Sequence, residues 1–155
     1  MMRILFVLLL SLFSIIVDAQ QGRSIHGRWK IVSIADEEMY YNFKKDSVSL
    51  SPVFSSPMDK AQAKELIALL LGMAGDGIFI FGKDGHYELL HDTKQDGVGT
   101  YIVSDRDSLI TANVVRNGVK VIEKMKFYIK EQLLHLTKID DGRSMKLVLE
   151  KLPEN

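Results

Sequence analysis

The chain has 155 residues, no cysteine, and 20 basic side chains against 20 acidic ones. The missing thiols exclude thiol catalysis, thiolate zinc sites, iron–sulfur clusters and a lipidated-cysteine anchor. The even charge balance argues against nucleic acid or an anionic membrane surface as the main partner.

The first nineteen residues, MMRILFVLLLSLFSIIVDA, place Arg3 before an apolar run that ends at Val17-Asp18-Ala19. That is the pattern of a secretory signal peptide, with cleavage expected after Ala19. The run is short for a membrane span, which needs about 20 apolar residues. The expectation is therefore a secreted or periplasmic protein with no stable membrane insertion after cleavage. Taking 19 residues from 155 leaves 136, Gln20 to Asn155, a length that suits one domain.

Strand-length runs follow at 26–34, 77–82, 86–91, 98–104, 108–115, 119–130, 132–139 and 144–151. Between them stand Asp84-Gly85, Asp96-Gly97, Asn117-Gly118 and Asp141-Gly142, dipeptides of the hairpin type. Polar breaks at 104–107 and 130–132 complete the punctuation. Eight short strands joined mostly by tight turns predict an all-β antiparallel meander, closed into a barrel so that no edge is left exposed.

Alternation is clearest in VKVIEKMKFYIK, where Val119, Val121, Met125, Phe127 and Ile129 share one face and Lys120, Lys124, Lys126 and Lys130 the other. Leu134 and Leu136 continue the inner face, with His135 outward. In the last strand Met145, Leu147 and Leu149 face one way, Lys146 and Glu150 the other. GIFIFG is apolar in both phases, and Phe79 and Phe81 are taken as inward.

One segment departs from this rhythm. SPMDKAQAKELIALLLGMAG is rich in helix formers, with Ser56 as N-cap, Pro57 at the first turn and Gly72 and Gly75 as stops. It predicts one α-helix over 57–73, inserted between the first and second strands. Residues 35–55 read as a long polar loop with a short strand at 47–50.

The stretch HGRWKIVSI carries the only tryptophan, beside Gly27. Gly27-Arg28-Trp29 on a first strand resembles the opening of lipocalins and related calycins. With FIFGKDGHYEL, GTYIVSDRDSLIT, KFYIKEQLLHLTK and MKLVLEK in order, most of residues 26–151 look like a small secreted bacterial lipocalin-like domain. The resemblance implies that Gly27 and Trp29 form a structural plug at one barrel end. No arginine stands within the last expected strand, where Lys146 and Lys151 are the basic residues, and no ligand or receptor carries over.

The function expected is binding of a small apolar or amphipathic ligand inside the barrel. Phe79, Phe81, Tyr87, Leu89, Met125, Phe127, Leu136 and Met145 are the candidate lining residues. The rival is a non-catalytic protein-interaction or envelope-assembly module whose barrel is filled by its own side chains. Glu123, in phase with Val121 and Met125, joins the candidates because a regular strand aims it inward. Burying a carboxylate is costly unless it is paired, so a bulge or a place near the strand end, open to water, is expected for it. His86 and His91 sit near Asp84 and Asp92 but on opposite strand faces, so no metal site is expected. Residues 92–97 fail as a calcium loop, with Lys94 at a ligand position. No nucleophile elbow, phosphate loop or dinucleotide fingerprint occurs. Neither enzyme activity nor a cofactor is expected.

Overall fold

A computed structural model describes residues 24–37, 39–50, 77–91, 94–140 and 142–153. The expected leader 1–19 and the expected helix 57–73 lie outside the described residues. The strands are β1 (Gly27–Ala35), β2 (Met39–Asn42), β3 (Ser47–Leu50), β4 (Ile78–Phe81), β5 (His86–His91), β6 (Lys94–Ser104), β7 (Leu109–Arg116), β8 (Val119–Lys130), β9 (Leu133–Asp140) and β10 (Arg143–Lys151).

Each of β4 to β10 pairs antiparallel with the next, and β1 pairs with both β4 and β10. Eight strands thus close into a barrel. The β2–β3 hairpin continues the sheet from the second half of β1, through pairs such as Ile34 with Tyr41. Residues 39–42, expected as loop, are therefore strand. Met39, Tyr41 and Val48 explain why: they pack on the core, and Phe43 meets Tyr41 edge-on at 4.6 Å.

Two turns and two register slips show how the sequence sets the register. Asn117 and Gly118 both take positive φ, 51° and 78°, the backbone that a two-residue hairpin requires. Glu131 and Gln132 adopt the same geometry at 53° and 64°, with no glycine to ease it. Asp96-Gly97 is not a turn. It lies within β6, where the pairing with β5 slips by one residue after Leu89, and a Cβ on Gly97 would sit 2.9 Å from Val114 Cγ1. In β1 the register shifts between Ile31 and Ser33, which keeps Trp29, Ile31 and Ile34 all buried across the bulge.

Inward positions of every barrel strand meet in one core. Trp29, Phe81, Tyr87, Ile110, Met125, Leu134, Leu136 and Leu149 are its most deeply buried large side chains. The lysine-bearing faces of β8 and β10 point outward, as alternation dictates. The inward phase does not bury every residue in it. Val119, Val121 and Met145 are 62%, 38% and 39% exposed, because each stands where its strand runs past the end of the packed interior. Met145 therefore does not line a cavity. Arg143 opens β10, paired with Asp140, so the last strand does hold an arginine.

Candidate functional site

Antiparallel connections alternate between the barrel's two ends. One end gathers the start of β1 and the β4–β5, β6–β7 and β8–β9 turns. The other gathers the β5–β6, β7–β8 and β9–β10 connections.

The first end is sealed. Trp29 is 2% exposed, and its indole Nε1 donates to the Ile25 carbonyl at 2.7 Å. Gly27 has φ 122°, and a Cβ there would come within 2.9 Å of Lys151 Cε. Glycine thus lets the Lys151 stem cross the plug, with Nζ 5.7 Å above the Trp29 ring. Beside it, the Tyr101 hydroxyl donates to the Gly82 carbonyl at 2.8 Å. The hydroxyl has one proton, so His26 Nδ1, also at 2.8 Å, must be the donor in its bond to Tyr101. Burial, and next the nearby Asp84 charge, push the Tyr101 phenol pKa up.

Above this plug the interior is aromatic. Phe79 lies 6.2 Å from both Phe81 and Tyr87, and Phe81 meets Tyr101 edge-on at 5.1 Å. Tyr87, Ile110, Leu134 and Leu149 have no exposure at all, which leaves no water-sized space beside them. Of the candidate lining residues, Phe79, Phe81, Tyr87, Met125 and Leu136 are buried among one another, and Leu89 and Phe127 are partly buried against them. Two open depressions, about 510 and 700 Å³, lie at the plugged end, and Ile129 borders both. Phe127 alone of the candidates borders either of them.

The second end is charged within. Glu123 is only 4% exposed, and the β7–β8 register runs through it without a bulge. The expected escape to water is therefore wrong; the carboxylate is buried and neutralised by neighbours. Lys138 Nζ donates to Oε1 at 3.1 Å, and Arg116 Nη1 lies 3.2 Å from the same oxygen. The Tyr87 hydroxyl reaches Oε2 at a long 3.4 Å. Arg116 Nε stands 3.3 Å from Asp96 Oδ2, at an angle that makes an ion pair without a hydrogen bond. Two cations and two anions thus balance. Burial first, and then the Glu123 charge, hold the Tyr87 phenol far above its usual range, so it acts as a neutral donor.

Sequence reasoning found Glu123 and Tyr87 but missed Arg116, Lys138 and Asp96. A signal was present. Arg116 shares phase with Ile110, Ala112 and Val114, and Lys138 with Leu134 and Leu136. Charges on the apolar phase of neighbouring strands, close to an inward acid, are mutual partners. Asp96 was hidden by the reading of Asp96-Gly97 as a turn.

No group of three or more metal-ligating side chains occurs among the described residues. The arrangement can hold a buried ion cluster rigid.

No family model matches the chain, and no curated protein matches it. Among solved structures, a DUF4847 family protein from Bacteroides vulgatus ATCC 8482 is similar, with a TM-score of 0.51 and 15% identity. The match covers 83% of this chain and 94% of that one. At this identity the likeness is one of fold, and it agrees with a small antiparallel barrel.

Proposed function

We propose that this is a non-catalytic docking module of the lipocalin-like type, whose barrel is a solid scaffold and whose contacts are made outside it. One observation carries the reading: five of the expected lining residues, Phe79, Phe81, Tyr87, Met125 and Leu136, are buried in one core with Ile110, Leu134 and Leu149. An eight-stranded barrel is just wide enough to be filled in this way. The expected setting is the periplasm or the cell exterior, and the expected partner is a protein of the envelope.

A second reading has its own support. Arg116 and Lys138 keep 31% and 28% of their side chains exposed at the charged end, near the exposed Val121 and Met145. A small amphipathic molecule held at that rim, not in the middle, would use both features.

Native mass spectrometry of protein purified from its own host separates the two. The docking reading predicts a stoichiometric protein partner and no small-molecule adduct. A co-purified lipid or pigment, lost on Val121→Asp, would replace it with the rim-binding reading.

A further inference from the structure

We propose that the outer face of β6 to β9 is an adsorption surface for anionic bilayers. The chain is neutral as a whole, but its charge is not evenly spread. Lys120, Lys124, Lys126 and Lys130 all project outward from β8, over a length of about 33 Å at the usual strand rise. Lys146 of β10 joins them through the cross-strand row Lys126–Thr137–Lys146.

Within β7 and β9 no cross-strand neighbour neutralises the β8 lysines. On β7 their cross-strand partners are Val115, Thr111 and Leu109, and on β9 they are Thr137 and Leu133. From Val98 to Ser104, Leu109 to Val115, Lys120 to Lys130 and Leu133 to Thr137, outward positions hold no carboxylate. Among the described residues, only Lys130 of these lysines has an ion-pair partner, Glu131 at 3.9 Å in the adjoining turn. Acids border the face: Glu150 of β10 lies in the row Lys130–Leu133–Glu150, where it pairs with Lys44, and Asp105 and Asp107 stand in the turn at the plugged end.

Large apolar groups stand among the lysines. Ile102, Ile122 and Tyr128 are 69%, 66% and 56% exposed on this same face. Tyr128 lies flat on His135, rings 4.4 Å apart and 7° from parallel. A soluble polyanion would satisfy the lysines and leave the isoleucines in water. A bilayer interface takes both, with ammonium groups on lipid phosphates and Ile and Tyr side chains at the headgroup boundary. The charge on this face is opposite to that of an anionic leaflet, and the proposal does not depend on how the barrel interior is used.

The test is flotation of the full folded protein with vesicles of phosphatidylcholine alone, or with about one-third phosphatidylglycerol, at about 0.05 and 0.5 M salt. The expected result is binding to the anionic vesicles only, falling at high salt. The double change Lys124→Glu/Lys126→Glu should weaken it at least ~10-fold. Ile122→Ser should weaken it several-fold with the salt dependence kept. Lys45→Glu, in the β2–β3 turn, should leave it unchanged. Three results would overturn the proposal: no vesicle binding, equal binding to neutral vesicles, or binding to soluble dextran sulfate with none to vesicles.

Discussion

The two ends of the barrel close by opposite physical means. At the Trp29 end the chain spends its large aromatics, and each polar tip among them finds a fixed partner: the indole Nε1 on Ile25, the Tyr101 hydroxyl on Gly82. At the Glu123 end the inward phase turns ionic, and order comes from four charges that cancel. Apolar burial draws its stability from area removed from water. A buried ion cluster gains little net stability, because desolvation offsets attraction, yet it penalises the loss of any single member. The aromatic end should therefore be the stabilising one and the ionic end the one that fixes which strands are neighbours.

Truncation gives the largest expected effects at both ends. Trp29→Ala should cost about 3–5 kcal/mol in urea unfolding, the range for deleting a fully buried aromatic. Glu123→Ala should cost about 3 kcal/mol, at the low end for a broken buried pair because Arg116 and Lys138 still reach water. The comparison sharpens when the whole cluster is replaced. Glu123→Met with Arg116→Leu and Lys138→Met should restore stability to within about 1 kcal/mol of the parent. A triple variant less stable than Glu123→Ala would show that the ions supply net stability and erase the distinction.

A smaller effect probes strain at the aromatic end. Glu131 and Gln132 hold positive φ without a glycine. Replacing them by Asn-Gly, which prefers that turn, should raise stability by about 1 kcal/mol and shift the thermal midpoint upward.

The smallest concerns pH. The folded-state pKa of Tyr87 is raised above the ordinary tyrosine value of 10.0, so the folded protein favours the neutral phenol. Its contribution is complete below pH 10 and is lost as the pH climbs past that value. Tyr87→Phe should flatten the alkaline fall of the urea midpoint and leave the neutral value nearly unchanged.

Much of this was legible beforehand, for reasons that differ by region. All eight barrel strands follow from strand-length runs between polar breaks, most of them with the period-two alternation of a strand with one wet face, and β3 from a short run at 47–50. The inward placing of Leu134, Leu136, Leu147 and Leu149 came from alternation, whereas that of Phe79 and Phe81, in a run apolar in both phases, was an assumption that the core bears out. Strand β2 was not legible, because Met-Tyr-Tyr-Asn lacks alternation and is held by packing onto β1. Glu123 was misjudged because a single strand shows an inward acid but not the cations opposite it. Those come from β7 and β9, and only the cross-strand register brings them together. Met145, Val119 and Val121 have the right phase and the wrong height. Phase is written in the local sequence, whereas height along the barrel depends on the stagger of the closed sheet.

Xenon-pressurised crystals give the most direct measurement of whether this barrel is a filled scaffold. Xenon enters dry apolar cavities that side chains leave empty. The expected result is no xenon among Tyr87, Ile110, Leu134 and Leu149, with any bound atoms confined to the depressions at the plugged end beside Ile129. Ordered xenon in contact with Tyr87 and Leu134 at the centre would reveal a chamber and contradict the account.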